Sequence, residues 1–199
     1  METNEPITDY AHLDINGTYS YMDYLRWHFK ERVELIRGKI FKMSPAPNTN
    51  HQSVLLSLSM KFAAYFENYT CKVFFAPFDV RLPISKPGKD YTVVQPDLCV
   101  ICDASKLDQQ GCKDAPDLVV EILSPGNSRH EMHTKFQLYQ EAGIQEYWIV
   151  EPDKKWVLVY HLHEGQYVGL RPFIEGDVIQ CVLFPDLKVA VNELFRNTT

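Results

Sequence analysis

The segment that decides the fold is Pro116-Asp-Leu-Val-Val-Glu-Ile-Leu-Ser-Pro125, a short apolar run bounded by prolines. An unbroken series of aliphatic residues is typical of a strand covered on both faces, so residues 118–123 are predicted to form a central strand. Glu121 interrupts this run. An ionised carboxylate in such a strand costs several kcal/mol unless it is paired or binds a metal. The sequence therefore places a charged group inside a core.

The segments around this strand alternate between helical and strand periodicity. Three helices are predicted: one capped by Ser20 with Leu25, Phe29 and Val33 on one face, which ends near Glu34; one with an apolar stripe over residues 54–66; and one from Ser128 to Gly143 with Glu131 in a capping box. Strands are predicted at 34–36, 39–43, 73–82, 93–101, 118–123, 145–150, 156–162, 167–173 and 178–184. Loops or turns are predicted at 44–47, 86–90 and 103–115.

This order of elements predicts an α/β or α+β domain, with helices flanking a central mixed β-sheet and extra C-terminal β-strands. Residues 1–17 are polar and are expected to precede a single domain over residues 18–199. No apolar stretch approaches the roughly 20 residues that cross a bilayer, and the N-terminus lacks a basic-then-apolar signal pattern. A cytoplasmic protein without membrane contact is expected.

The charge balance restricts how the chain meets nucleic acid. With 20 Lys and Arg against 26 Asp and Glu, the formal net charge is −6. Such a chain does not coat nucleic acid through bulk positive charge, although a local basic groove is compatible with it.

The five cysteines point to a reducing compartment, because an odd number does not form a complete disulfide framework. Cys99 and Cys102 form a C-x-x-C spacing within or next to a predicted strand, which sends their side chains to opposite faces. Zinc or redox chemistry is therefore not indicated, and reduced core cysteines are expected.

Three charged residues are predicted to meet in the core. Asp97 follows Pro96 at the start of an apolar run, and Lys135 falls on the inner stripe of the third helix. That helical phase directs the Lys135 ammonium toward the sheet that contains Glu121. One explanation is an inert salt bridge between Glu121 and Lys135. The other is a metal site, because two neighbouring carboxylates repel unless a cation lies between them.

The metal hypothesis rests on Asp97 and Glu121, which stand roughly 5 Å apart if their strands are neighbours. Oxygen ligands favour Mg²⁺ or Mn²⁺ over zinc. A metal held by two carboxylates beside a lysine is a device for hydrolysing phosphodiesters, since the metal polarises the phosphoryl group and acidifies a water. Asp117 lies about 13 Å along the strand from Glu121 and is expected to be only a strand-entry residue.

Several motifs together resemble a known family over nearly the whole chain. They are Glu34-Leu-Ile, Gly38, Met43-Ser-Pro45, His51-Gln52, Pro96-Asp97, the run 116–125, Lys135 with Tyr139, and Gly143-Ile-Gln-Glu-Tyr-Trp-Ile-Val150 followed by Pro152. In this combination the chain resembles the Uma-two family of restriction-endonuclease-like proteins, which belongs to the PD-(D/E)XK nuclease superfamily.

The resemblance implies a restriction-endonuclease-like core and an Mg²⁺-dependent nuclease site made of Glu34, Asp97, Glu121 and Lys135. The chain departs from the superfamily's E-x-K motif, because Leu123 stands where that lysine is expected. In sequences of the Uma-two type the lysine has moved to the following helix, and the helical phase of Lys135 permits this independently.

Smaller features of the resemblance concern the surroundings of the site. Arg37 stands where relatives usually carry an acidic residue, and Glu131 where they usually carry Asp. His51 is a candidate phosphate contact or auxiliary acid or base, with a helix cap or surface group as the alternative. Tyr139 is an auxiliary candidate that either lines the pocket or only packs.

The leading hypothesis is therefore a metal-dependent endonuclease that acts on DNA. Its alternative is a catalytically silent nuclease-fold protein that binds nucleic acid or a protein partner, and a purely structural module is a third reading. Cutting both strands of a duplex needs two active sites, which makes a homodimer plausible.

Overall fold

The structure, a computed structural model, describes residues 6–43, 47–84, 91–125 and 129–198. The helices are α1 (Tyr21–Tyr24), α2 (Thr49–Phe66), α3 (Arg129–Ala142) and α4 (Val191–Leu194). The strands are β1 (Val33–Ile36), β2 (Lys39–Lys42), β3 (Lys72–Phe75), β4 (Val80–Arg81), β5 (Val93–Val94), β6 (Leu98–Ile101), β7 (Leu107–Asp108), β8 (Gly111–Cys112), β9 (Leu118–Ile122), β10 (Glu146–Glu151), β11 (Trp156–His163), β12 (Gln166–Gly169), β13 (Val178–Gln180) and β14 (Lys188–Ala190).

A six-stranded sheet in the order β12-β11-β10-β9-β6-β3 contains the predicted central strand. Among the described strands of this sheet, β9 and β10 are the one parallel pair, and α3 is the crossover between them. Side chains of β9 alternate between two cores: Leu118, Val120 and Ile122 face α2 and the C-terminal segment, whereas Val119 faces the α3 side. The predicted mixed sheet and its doubly covered strand are confirmed.

A second six-stranded sheet, in the order β2-β1-β5-β4-β8-β7, is built from short strands. The single strand predicted over 93–101 is wrong, because residues 93–94 pair with β1 and β4 whereas residues 98–101 pair with β3 and β9. The chain changes sheets between these two pieces. The strand predicted over 73–82 is likewise divided, into β3 in one sheet and β4 in the other.

The first predicted helix is much shorter than its periodicity indicated. Ser20 caps α1 in a capping box with Asp23, as the sequence suggested, but the helix ends at Tyr24. Beyond it, the Ile7 backbone takes up the hydrogen bonds: Ile7 N donates to Arg26 O and His28 N donates to Ile7 O, each at 2.8 Å. Extended pairing with the N-terminal segment thus replaces the helix, and Val33 opens β1.

The remaining elements follow the predicted order with local differences. The turn-rich segment 103–115 contains a short antiparallel hairpin of β7 and β8. At the C-terminus, the strand predicted over 178–184 is present as the shorter β13 and pairs with β14, whereas β14 and α4 were not predicted. The proposed Ser128 cap and most of the predicted 44–47 and 86–90 segments lie outside the described residues. The domain boundary at residue 18 stays a prediction.

The expectation of reduced cysteines is wrong for Cys102, which forms a disulfide with Cys71. The antiparallel register of β3 and β6 pairs Lys72 with Ile101, so the next position outward places Cys71 opposite Cys102. Cys99 is a free, buried cysteine, as expected. The C-x-x-C spacing of Cys99 and Cys102 gives no sign of a disulfide partner for Cys102 that lies 31 residues away.

No helix in the described ranges combines the length and apolar character that crossing a bilayer requires.

Candidate active site

The pairing of β6 with β9 places two carboxylates side by side. Leu98 lies opposite Val120, and the antiparallel register continued by one residue places Asp97 opposite Glu121. The Ile122 main-chain N–H donates to Asp97 Oδ2 at 2.7 Å, which fixes the orientation of that carboxylate. Neighbouring strands therefore present both predicted carboxylates at one end of the sheet.

Helix α3 brings Lys135 to Glu121. Lys135 Nζ donates to Glu121 Oε1 at 2.9 Å, and the lysine side chain is only 7% exposed. The predicted helical phase of Lys135 is confirmed. One turn further along α3, the Tyr139 hydroxyl donates to the same Glu121 oxygen at 2.5 Å. Glu121 Oε1 is thus held by an ammonium and a phenol.

The second sheet contributes Glu34, from β1. Its Oε1 atom accepts from Lys135 Nζ at 3.0 Å and from the Gln95 main-chain N–H at 2.9 Å. Glu34 is buried, with 3% of its surface exposed. Lys135 therefore links carboxylates from the two sheets, and the four residues implied by the family resemblance converge on one place.

His51 lies in the first turn of α2 and is buried rather than exposed. The helix cap is Asn48, whose side chain accepts from the His51 main-chain N–H at 2.8 Å. His51 Nε2 lies 3.3 Å from Asp97 Oδ1, and its Nδ1 has no hydrogen-bond partner within the described part of the chain. The His51 ring thus supports Asp97, and the cap and surface readings do not apply.

The charges in this cluster act strongly on one another. Burial raises the pKa of Glu121 to about 7; the Lys135 ammonium opposes this shift, and the Asp97 and Glu34 carboxylates add to it. Burial alone would lower the pKa of Lys135, but the ion pairs with Glu121 and Glu34 hold it well above its usual value. Lys135 stays protonated, whereas Glu121 changes charge near neutral pH.

A small cavity with about 50 Å³ of room for water opens onto these groups. It is lined by Arg32, Met43, Pro47, His51, Gln95, Asp97, Glu121, Ile122, Ser124, Glu131 and Lys135. This space is enough for a few waters or a partly hydrated ion. A roomier cavity of about 400 Å³ lies between α2 and α4, but two of its three charged lining residues, Lys61 and Glu193, pair with each other.

The donor set fits a hard divalent cation. Within the described ranges, Asp97 Oδ1 accepts no main-chain hydrogen bond and is approached by His51 Nε2 at 3.3 Å, and no donor reaches Glu121 Oε2. In the described ranges no three His, Cys, Asp or Glu side chains are grouped closely enough to bind a metal ion. Two carboxylates nevertheless suit Mg²⁺, which retains several waters and is commonly bound by one or two carboxylates together with substrate phosphates.

The sequence reading missed two residues that line this cavity, Arg32 and Gln95. Arg32 directly precedes β1, and Gln95 lies two positions before Asp97, so proximity to predicted site residues was the available signal. Arg37 lies elsewhere and pairs with Glu141 across the protein surface. Its reversed charge therefore does not enter the cavity.

Three more residues that the sequence analysis singled out lie close to β9 or to the cavity. Asp117 stands just before β9, where its Oδ2 accepts from the Cys102 main-chain N–H at 2.7 Å, as suits a strand-entry residue. Leu123 follows β9, is partly buried and packs against the core on the α3 side. Glu131 lines the cavity near Lys135.

Comparisons with known proteins agree with this architecture. The family model Uma2, described as "Putative restriction endonuclease", matches residues 21–192. The uncharacterized protein slr1290 of Synechocystis sp. is 28% identical over 145 residues, which cover 71% of this chain and 73% of that protein.

A crystal structure from Anabaena variabilis, described as a "putative nuclease belonging to DUF820", superimposes with a TM-score of 0.70. The match covers 89% of this chain and 98% of that one, and at 20% identity it shows the shared fold. Because the family model spans most of the sequence, the chain belongs to the Uma2 (Uma-two) family of restriction-endonuclease-like proteins.

Proposed function

We propose that this protein is a divalent-metal-dependent nuclease that hydrolyses phosphodiester bonds in DNA. One observation supports the proposal above the others: a buried Lys135 ammonium lies between Glu34 and Glu121, beside a second strand carboxylate, Asp97, at a small cavity. The family assignment gives the reaction class, and this cluster supplies suitable groups for it.

The charge of the cluster favours a bound cation. Glu34, Asp97 and Glu121 outnumber the single ammonium of Lys135, so the site carries excess negative charge when all three carboxylates are ionised. Excess charge of one sign is costly in a buried site. A divalent ion held by Asp97 and Glu121 would offset this excess negative charge. It would also reduce the repulsion between these two carboxylates.

When bound, Mg²⁺ or Mn²⁺ would polarise the phosphoryl group and lower the pKa of a water. The protein residues then have separable tasks. Asp97 and Glu121 would hold the ion, with their carboxylates oriented by the Ile122 N–H and the Tyr139 hydroxyl. Lys135, held in place by Glu34, orients the attacking water and offsets the negative charge that develops on the phosphoryl oxygens.

His51 is proposed as a positioning residue for Asp97. Its Nε2 atom approaches the Asp97 oxygen that no main-chain group holds, while the Ile122 N–H holds the other oxygen. The two contacts together fix the plane of the carboxylate. Replacing His51 should weaken metal binding through Asp97 without removing a metal ligand.

DNA is proposed as the substrate because the family is described by restriction endonuclease activity and because Arg32 offers a cation at the cavity wall. With a net charge of −6, the protein needs local attraction to hold a polyanion. Binding should therefore depend on the divalent ion and weaken as monovalent salt rises. We further propose a homodimer for duplex cleavage, which sedimentation of the free protein tests directly.

One observation favours a second candidate function. Lys135 bonds to both Glu34 and Glu121, so part of their charge is neutralised without any metal. The same geometry suits a catalytically silent nuclease-fold protein that binds nucleic acid or a protein partner. The two candidates differ in turnover, and a cleavage assay separates them.

The test is incubation with supercoiled plasmid in Mg²⁺ or Mn²⁺, with EDTA as the metal-free control. Wild-type protein should nick or linearise the plasmid only with metal. Lys135→Met keeps the side-chain stem and removes the charge, so cleavage should fall by about 10²- to 10³-fold while Mg²⁺ still binds. Absence of cleavage by folded, metal-loaded wild-type protein on single- and double-stranded DNA would favour the silent protein.

A further inference from the structure

A second cavity adjoins the candidate active site. It has a volume of about 200 Å³ and shares two lining residues, Arg32 and Gln95, with the active-site cavity. The rest of its wall is formed by Tyr24, Trp27, Phe29, Glu31 and Val33. The two cavities are therefore neighbours, separated by one arginine and one glutamine side chain.

Three of the seven residues that line this second cavity are aromatic. Trp27 and Phe29 are stacked, with centroids 5.6 Å apart and an interplanar angle of 26°. Tyr24 lies against Trp27 at 5.7 Å with a tilt of 60°. The rings meet because residues 25–32 are not helical and Trp27 pairs with Ile7 as an isolated parallel β-bridge. The break in the expected helix thus builds an aromatic wall.

Polar groups are placed among the rings. Gln95 Nε2 donates to the Tyr24 hydroxyl at 3.2 Å and to Asp79 Oδ1 at 2.8 Å. Gln95 Oε1 accepts from Arg32 Nη2 at 2.9 Å. Trp27 is nine-tenths buried, and its Nε1 atom is enclosed without a hydrogen-bond partner among the described residues, so Tyr24 and Phe29 are the more exposed rings of the wall. Aromatic faces with a few fixed polar groups are the usual lining of a site for a flat heterocycle.

Gln95 connects this cavity to the chemistry. Its side chain lines the second cavity, while its main-chain N–H donates to Glu34 Oε1, the oxygen that also binds Lys135. Arg32 is exposed and lies in both walls, where a guanidinium can contact a phosphate. A ligand that extends across the two cavities would pass this guanidinium.

We infer that the second cavity binds one unstacked nucleobase of a single-stranded nucleic acid whose neighbouring phosphate enters the active-site cavity. The inference rests on the proposed nuclease function and adds that the substrate is single-stranded. A base held in a duplex is paired and stacked on its neighbours, so it reaches such a pocket only when unpaired. Stacking on aromatic side chains is tolerant of sequence, which suits recognition of a single strand in general.

The experiment compares strands that differ only in their bases. Ca²⁺ replaces Mg²⁺ to allow binding without cleavage, and anisotropy is measured on a labelled 12-nucleotide single strand, its duplex, and an abasic strand of equal length. The base-containing single strand should bind about 5- to 100-fold more tightly than the abasic strand. It should also quench tryptophan fluorescence, because Trp27 lines the cavity.

Matched phenylalanine variants locate the effect. Phe29→Ala removes a ring from the cavity wall and should abolish most of the preference for bases. Phe75 is exposed at the end of β3 and lies outside both cavities, so Phe75→Ala should preserve the preference. Equal binding of base-containing and abasic strands by the wild-type protein, without fluorescence quenching, would overturn the nucleobase pocket even if a variant failed to fold.

The outcomes also separate this inference from the function on which it rests. Plasmid cleavage with Mg²⁺, combined with equal affinity for abasic and base-containing strands, overturns the pocket alone. No binding to any strand and no cleavage overturns both. Tighter binding of the duplex than of the single strand would contradict the inference that the substrate is single-stranded.

Discussion

Glu121 of β9 and Glu146 of β10 are buried glutamates on neighbouring strands, but they have very different surroundings. Glu146 is fully buried and is surrounded by neutral donors. Trp148 Nε1 donates to it at 2.7 Å, the Leu183 N–H at 2.7 Å, and the Val182 N–H at 3.2 Å; Cys181 Sγ adds a contact at 3.1 Å. Glu146 therefore anchors the segment before β14 to the central sheet.

Glu121 faces the opposite side of the sheet and has different neighbours. Its partners are the Lys135 ammonium and the Tyr139 hydroxyl, and two further carboxylates, Asp97 and Glu34, act on it. It also opens onto a cavity, which Glu146 does not line. Burial raises the pKa of Glu121 to about 7.

The contrast shows which feature of a buried carboxylate points to chemistry. Burial is common to both residues, so it does not distinguish them. A carboxyl group whose oxygens accept from several main-chain and side-chain donors is fully hydrogen-bonded and has a structural task. A carboxylate among other carboxylates at a cavity needs an external cation or a proton, and it is therefore the one suited to metal binding and reaction.

The largest expected difference between the two glutamates is in cleavage activity. Glu121→Gln removes the negative charge that would bind the metal, so plasmid cleavage should fall by about 10³-fold or more. Glu146→Gln, assayed at a temperature at which it is folded, should stay within a few-fold of the wild-type rate. Similar losses in both folded variants would show that the contrast between them is not a contrast in function.

The second prediction concerns stability, and here Glu146→Gln should have a larger effect than Glu121→Gln. In Glu146→Gln, one side-chain oxygen is replaced by an NH₂ group, which faces N–H donors and cannot accept from them. The free energy of unfolding should therefore fall by about 2–4 kcal/mol. Urea unfolding followed by tryptophan fluorescence measures this. Glu121→Gln is the matched comparison, and an equal or larger loss in that variant at pH 8 would contradict the contrast.

A smaller effect is expected in the pH dependence of stability. The pKa of Glu121 is raised in the folded protein, from an ordinary value of 4.5 to about 7. The folded state therefore holds this proton more tightly than the unfolded state, and stability falls as pH rises through this window. Glu121→Gln lacks that titration, so relative to wild type it should gain roughly 1–3 kcal/mol at pH 8.

The control for this pH effect is the same comparison at low pH. Below about pH 4.5, Glu121 is protonated in both states, and the stability advantage of Glu121→Gln over wild type should be absent. An advantage that does not change between pH 5 and pH 8 would mean that the Glu121 carboxyl is not the group that titrates.

Much of the site could be predicted because its signals are local. Glu121 stands out within five apolar neighbours, and the phase of Lys135 follows from the helical repeat alone. The central strand and the helix that follows it are predicted from the same runs, because a sequence displays periodicity over a few residues directly. The position of Asp97 beside Glu121 needed the further assumption that their strands are neighbours, which the pairing of β6 with β9 confirms.

The rest depends on contacts between distant segments. Glu146 opens its strand after polar Gln145, and nothing nearby reveals that residues 181–183 will surround it. The Cys71–Cys102 disulfide follows from a strand register across 31 residues. The aromatic wall near the site arises where pairing with Ile7 overrides helical periodicity, so the sequence alone predicted a longer helix there.

Calorimetric titration of Mg²⁺ and Mn²⁺ into metal-free protein at pH 8 tests the central claim most directly, because it asks whether Asp97 and Glu121 share a cation. Wild type and Glu146→Gln should bind the ion with similar affinity, whereas Asp97→Asn and Glu121→Gln should each lose binding. Wild-type binding should also weaken as pH falls below 7, because protonation of Glu121 competes with the metal. Unchanged metal affinity in both Asp97→Asn and Glu121→Gln would contradict the assigned site.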